Sequence, residues 1–404
     1  MDSAWMANND TLTKTIEVIF AIEDITTGGK QQGYVARYRG MLKDHDSEKA
    51  YNWLSEKLQS HSLIPLFKWE EEKQVILLIP ALPKAKADKS WVNILLFAST
   101  FLSVLFAGAL YTAEIDPFSS RVTFAVFMDF LWQGWPFAVS FLPILAAHEF
   151  GHYIAGRLHK VNVSLPYFIP FPFSLIGTMG AFINMKEPPK NRKHLLDIGI
   201  AGPLAGLCVA VPVLFIGLSL SKLNVIPTVI PQDMVFQIEG NSIFYLFAKY
   251  AMFGKLLPQP ANYATLSPLF YWLRYFFTGL PLPLGGLDVM IHPVAWAGWA
   301  GLLVTSLNLI PAGQLDGGHV LYVLFGRKNA LRMLPFVLIS LIALGFVWYG
   351  WWLWAGLIFL LGRRYAEPLD QITVLDKRRK VLAVFVLIIF VLIFMPVPLI
   401  MMAG

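Results

Sequence analysis

Ala146-Ala147-His148-Glu149-Phe150-Gly151-His152-Tyr153 sets three ionisable side chains inside an otherwise apolar run from about Gly134 to Leu158. A run of that length meets the roughly 20 residues a helix needs to cross a bilayer, so the segment reads as a membrane helix. On a helix, positions i and i+4 share a face. His148 and His152 can therefore hold one metal ion, and Glu149 beside them can reach a water on it as general base. Ionisable groups in a spanning helix are expensive and mark functional sites that face the bundle interior. The bland alternative is a pair of hydrogen-bonded core histidines with a protonated Glu149. It is disfavoured because packing alone is served by apolar residues without a desolvation cost of several kcal/mol.

Outward from this helix the chain keeps the same character. Of its 404 residues 56% are hydrophobic and 14% charged, whereas soluble domains carry about a quarter charged residues. Several nearly uncharged runs from Trp91 onward reach spanning length. The expected fold class is a polytopic α-helical membrane protein with a re-entrant hairpin and a small N-terminal cytosolic α+β domain. The net charge of +6 comes from Lys and Arg clustered at the ends of apolar runs, which makes them topology signals and excludes a nucleic-acid footprint. Cys208 has no intrachain partner, so no disulfide framework exists, and it is expected to pack as a small hydrophobe. Residues 1–13 are polar and lack a secretory-signal pattern, so insertion falls to the first span.

Residues 1–88 read as the N-terminal domain, with strands at Lys14–Ile22, Gln32–Arg39, Ile64–Glu70 and Gln74–Ile79 and a helix at Ser47–Ser60. The last two strands form a hairpin. Lys84, Lys86 and Lys89 hold this domain in the cytosol, ahead of a span from Trp91 to Tyr111. Residues 89–326 form the core. The linker Glu114–Arg121 lies outside, and the span ending at Leu158 returns inward. Val163–Met185 is broken by Pro166, Pro170, Pro172, Gly177 and Gly180 and reads as a re-entrant hairpin, tolerated at membrane depth only against protein or a cavity. A cytosolic cluster at Lys186–Lys193 precedes a span at Leu195–Leu218. Residues 219–292 form an outer insertion whose aromatic-rich helices lie in the interface. Pro293–Leu309 re-enters, the chain bends at Pro311-Ala312-Gly313, and a helix runs from Leu315 to Phe325. Residues 327–404 supply C-terminal helices: two short spans in Leu334–Leu361 turning near Tyr349-Gly350, and a last span at Val381–Met402.

Two histidines leave a catalytic zinc one protein ligand short, since such sites use three plus water. Asp316, in Asn308-Leu309-Ile310-Pro311-Ala312-Gly313-Gln314-Leu315-Asp316-Gly317-Gly318, is the best candidate. The Pro and Gly break in an apolar hairpin can bring its carboxylate to membrane depth. His319 is the alternative ligand, although a hydrogen bond to backbone or to a ligand suits it better. Glu187, Asp288, Glu367 and Asp370 fall in segments expected to face solvent.

These stretches resemble the site-2 protease family of intramembrane metalloproteases. The matching segments are His148–His152, Gly177-Thr178-Met179-Gly180-Ala181-Phe182, Ala201-Gly202-Pro203-Leu204-Ala205-Gly206 and His292–Gly318. Their order is that of the prokaryotic and plastid branch whose outer segment is not a PDZ domain. The family often has Asn-Pro near Asp-Gly; here Leu309 follows Asn308 and the proline is Pro311, a variant similar to plastid-type members. The resemblance implies that His148, His152 and Asp316 bind Zn2+, that Glu149 is the catalytic base, and that Asn308 positions substrate or the tetrahedral intermediate. An interhelical hydrogen bond is an equal reading of Asn308. Gly177, Thr178 and Gly180 are expected to position an unwound substrate strand by β-augmentation, or else to permit tight hairpin packing. The expected partners are transmembrane protein substrates and the lipid bilayer, with a regulator possible at the N-terminal domain. The expected location is multi-pass in a cell membrane, or in a plastid membrane in a plant. The rival readings are a metal-ion or proton transporter, opposed by the lack of repeated halves, and an inactive scaffold, opposed by the presence of Glu149.

Overall fold

The structure, a computed structural model, describes residues 3–28, 32–81, 88–112, 123–230, 235–263 and 265–403. Lys84, Lys86 and the Glu114–Arg121 linker lie outside the described residues.

The N-terminal unit runs α1 (Ser3–Glu17), β1 (Phe20–Thr27), β2 (Ala36–Leu42), α2 (Ser47–Leu58), β3 (Leu63–Glu70) and β4 (Lys73–Pro80). Its antiparallel sheet has the order β1-β2-β4-β3. The β3–β4 hairpin turns on Glu71 and Glu72, both at positive φ, as a two-residue turn matching strand twist requires. The strand expected at Lys14–Ile22 is a correction: helix α1 continues to Glu17 and strand begins only at Phe20. The β-branched residues Thr13, Thr15, Ile16, Val18 and Ile19 suggest strand, but Leu12 and Ile16, one helical turn apart, bury themselves in the core with Phe20, Tyr38, Leu54 and Phe67. That burial outweighs local propensity.

The remaining elements are α3 (Ser90–Thr112), α4 (Phe124–Gln133), α5 (Trp135–Leu158), β5 (Tyr167–Pro170), β6 (Thr178–Phe182), α6 (Arg192–Leu220), β7 (Lys222–Val225), β8 (Val235–Glu239), α7 (Ile243–Phe253), α8 (Pro268–Thr278), β9 (Leu287–Met290), α9 (Pro293–Asn308), α10 (Asp316–Gly345), α11 (Gly350–Leu361), α12 (Lys377–Ile393) and β10 (Leu399–Ala403). Among the described residues, α3, α6 and α10 are long and apolar enough to cross a membrane, and α4 with α5, bent by 52°, make a fourth such span if taken together. α5, α6 and α9 form the central bundle. α9 is the most enclosed of them: Ala295, Ala297, Trp299, Ala300 and Leu302 have no exposed surface.

The helix after the Pro311 bend keeps its expected end at Phe325: Gly326, at φ 75°, is non-helical, and a second helical stretch continues to Gly345, the two together making α10. Two features depart from expectation. The last apolar run is not one span. α12 ends at Ile393 because Pro396 and Pro398 cannot continue a helix, and Leu399–Ala403 instead pairs antiparallel with β8. Cys208 is exposed rather than packed, because it lies on the outward face of α6.

Candidate metal centre

The expected hairpin is a two-stranded sheet, β5 against β6. It runs beside α3, where the Asn93 Nδ2 amide donates to the carbonyls of Leu165 and Pro166 and Ser103 Oγ donates to that of Gly177 at 2.6 Å. Gly177 has φ +74°, and a methyl group there would stand 2.5 Å from the Val104 Cα. Glycine alone fits this position. Thr178 is buried; its hydroxyl donates to the Ile169 carbonyl at 2.7 Å and accepts from the Gly180 N–H at 3.0 Å. Gly180, at φ +101°, faces open space.

Across the hairpin, α5 presents His148, Glu149 and His152, all buried. The loop after Asn308 folds back on the first turn of α10, so closely that a methyl on Gly317 would meet the Leu309 carbonyl oxygen at 1.9 Å. This brings Asp316 to α5. His148 Nε2 lies 3.3 Å from Asp316 Oδ2, His152 Nε2 lies 3.4 Å from Asp316 Oδ1, and the two imidazole Nε2 atoms are 3.2 Å apart. A tetrahedral zinc with bonds of about 2.0–2.2 Å has ligand-to-ligand edges of about 3.3–3.6 Å, so the donor spacing and the N,N,O chemistry fit that ion. His152 Nδ1 sits 2.7 Å from the Ile198 carbonyl. A carbonyl only accepts, so Nδ1 carries the proton and Nε2 keeps its lone pair for a metal.

The three donors, with Glu149, Asn308 and His319, line a cavity of about 510 Å³ whose rim includes Phe182, Lys186, Glu187 and Glu367. Asn308 Nδ2 stands 3.2 Å from His148 Nε2. His319 is buried one turn beyond Asp316, outside the donor group. Of the acids expected to face solvent, Glu187 and Glu367 border the cavity, while Asp288 and Asp370 are buried. That expectation fails because short strands and turns fold these two back against protein. Sequence reasoning did not single out Ile198, and it marked Gly202 and Gly206 only as part of the Ala201–Gly206 segment that carries the resemblance, without the role they have in letting α6 approach the two imidazoles. The signal was there, since small residues spaced along an apolar helix mark close helix contacts.

The three donors, with Glu149 beside them, make a candidate metal centre on a bundle of apolar helices. A family model, Peptidase family M50, matches residues 136–345, just over half the chain, and the chain belongs to this family. It is 29% identical over 347 residues to the probable zinc metalloprotease EGY2, chloroplastic, of Arabidopsis thaliana, covering 84% of this chain and 55% of that protein. It is 33% identical over 267 residues to the probable zinc metalloprotease EGY1, chloroplastic, of the same plant, covering 65% and 43%. Against the probable zinc metallopeptidase EGY3, chloroplastic, also of Arabidopsis thaliana, identity is 27%, covering 55% and 35%. The chain thus spans only about a third to a half of each of these relatives.

Proposed function

We propose that the chain is an intramembrane zinc metalloprotease that hydrolyses peptide bonds within or near transmembrane segments of membrane proteins. The observation that carries this reading is the convergence of the His148, His152 and Asp316 donor atoms beside Glu149 in one buried cavity. We assign these three residues to zinc. A zinc ion supplies Lewis acidity there, polarising a carbonyl and making water nucleophilic near neutral pH. Glu149 takes the proton of the attacking water and hands it to the leaving amine. Asn308, at the face of the donor group, orients the scissile carbonyl.

A helical substrate hides its carbonyls, so it must unwind before cleavage. The hairpin has only two strands, which leaves β6 an outer edge for an extended segment to join by β-addition. Gly177 and Thr178 hold the hairpin in place, and Gly180 leaves room for the approaching strand. A multi-pass membrane location is supported by large apolar side chains standing exposed on the long helices, such as Ile94 and Phe336 at 69% and 71%, which need apolar surroundings. Basic residues beside the spans favour residues 1–88 on the cytosolic side, or its plastid equivalent. On this reading residues 89–326 form the catalytic core, with 219–292 an outer layer, and 327–404 pack around it.

The test compares zinc content and cleavage of a model membrane substrate for the parent and Glu149→Gln. The parent cleaves, and the variant keeps its zinc while losing about 10²–10⁴-fold in rate. A parent that binds zinc and leaves every membrane substrate intact overturns the reading.

A further inference from the structure

The N-terminal unit and the metal cavity share a strip of backbone. β3 ends its sheet, yet its edge is occupied: the Phe67 N–H donates to the Leu369 carbonyl at 2.8 Å, and the Gln371 N–H donates to the Phe67 carbonyl at 2.9 Å. On its other side the same strip meets the segment that follows the hairpin. The Leu369 N–H donates to the Pro189 carbonyl at 3.0 Å and the Asp370 N–H to that of Lys190 at 2.7 Å. Both contacts are single parallel bridges, Phe67 to Asp370 and Asp370 to Asn191, so backbone bonding runs from β3 through 369–371 to 189–191.

Side chains lock this junction. Asp370 has no exposed surface and accepts from the Ile372 and Thr373 N–H groups at 2.9 and 3.1 Å. It also accepts from Ser47 Oγ, on α2, at 3.2 Å and from the Thr373 hydroxyl. Glu48 accepts from Asn191 Nδ2 at 3.0 Å and pairs with Lys193 at 2.6 Å. Both strips lead straight into the metal cavity, which is lined by 181–189 on one side and by Ala366 and Glu367 on the other. Residues 183–191 form neither helix nor extended strand; Asn184 and Lys186 are tied to Ser164 and Asn162, so it is 187–191 whose shape depends on the 369–370 strip and on Glu48.

We propose that the N-terminal unit is a positioning element for the inner wall of the cavity. Docked, it holds 187–191 and 366–371 against each other; undocked, it releases both walls, so a partner that pulled the unit away would slow cleavage. The effect on cleavage rests on the protease reading, whereas the effect on the walls does not.

The experiment measures amide hydrogen exchange at Leu369 and Asp370, whose N–H groups bridge the two walls, and at Gln371, whose N–H reaches Phe67, with zinc content and kcat/KM in the full chain. Two variants release the dock: Ser47→Ala with Glu48→Ala removes side-chain contacts, and Phe67→Pro removes the donor to Leu369 outright, even where the unit itself unfolds. We expect exchange at Leu369 and Asp370 to quicken about tenfold or more along with that at Gln371, as for a locally opened segment, and kcat/KM to fall about tenfold, with zinc content unchanged. A disulfide between Ser47→Cys and Thr373→Cys, whose native hydroxyls lie 2.9 Å apart, added to Glu48→Ala in a Cys208→Ser background, restores both until it is reduced. Rapid exchange at Gln371 with Leu369 and Asp370 unchanged overturns the proposal. Loosened walls in a chain whose parent cleaves nothing would sink the protease reading and leave the positioning role standing.

Discussion

Gly202 lies directly beneath the His152 ring, where a methyl group on its α-carbon would stand 2.1 Å from Nε2, the atom that faces Asp316. Gly206 stands in the same relation to His148, with a distance of 3.3 Å to Nδ1. The α5–α6 contact therefore fixes the height of both imidazoles as well as holding two helices together.

Gly202→Ala should push the His152 ring off its position. We expect zinc affinity to fall by about 10–100-fold, the scale set by losing support behind a ligand, and cleavage to fall with it. Gly356→Ala is the control, because nothing lies within 4 Å of a methyl placed there. Metal analysis after dialysis at fixed free zinc separates the two; equal zinc content in both variants would refute the prediction.

Gly177→Ala meets both a left-handed backbone and the Val104 Cα at 2.5 Å. Left-handed backbone alone costs an L-residue about 1–2 kcal/mol, so the hairpin should shift away from α3. KM for a membrane substrate should rise severalfold while bound zinc stays stoichiometric. Steady-state kinetics with metal analysis checks this, and a parental KM would show that the hairpin's position is irrelevant to substrate.

Chelation should abolish cleavage and lower thermal stability, and zinc but not magnesium should restore both. A ligand at 100 times its Kd stabilises the folded state by about 2.7 kcal/mol, so the unfolding temperature of the membrane domain should drop measurably on metal removal. Unfolding curves in detergent with and without chelator read the shift, and coincident curves would count against a resident metal.

Glu239, on β8, is buried with Asp288 and Lys249, and its carboxylate accepts from the Tyr245 hydroxyl at 2.8 Å. Burial is the largest influence and holds its carboxyl above the ordinary 4.5; Lys249 opposes this and Asp288 adds to it. The folded state therefore keeps a proton that the unfolded chain releases, so this group's stabilisation is full below about pH 4.5 and falls as pH rises through the folded-state value. Thermal unfolding from about pH 5 to pH 8 should show a decline that Glu239→Gln flattens. An identical slope in the variant would place the dependence elsewhere.

The helices that frame the metal are legible because bilayer length and His-Glu-x-x-His both speak in local sequence. Asp316 is legible for a related reason: an acid beside Pro311 and Gly313 has no packing purpose in an apolar hairpin. The first strand of the N-terminal unit is not, since Leu12 and Ile16 become helical only through a core assembled from residues far along the chain. The burial of Asp370 is equally hidden, for its partners Ser47 and Phe67 lie some 300 positions away. The end of the last apolar run at Ile393 could have been read from Pro396 and Pro398, which hydropathy alone passes over.

On the proposed protease reading, the break of α10 at Gly326 sets how deep a cut would fall. From Asp316 to that break is ten residues of helix, or about 15 Å at 1.5 Å each, half of a hydrocarbon layer about 30 Å thick; the chain then meets Arg327 and Lys328. A polypeptide severed at this level keeps on its inner side a stub of at most about ten apolar residues, too short to remain anchored in lipid. Detachment of that half then needs no extraction machinery.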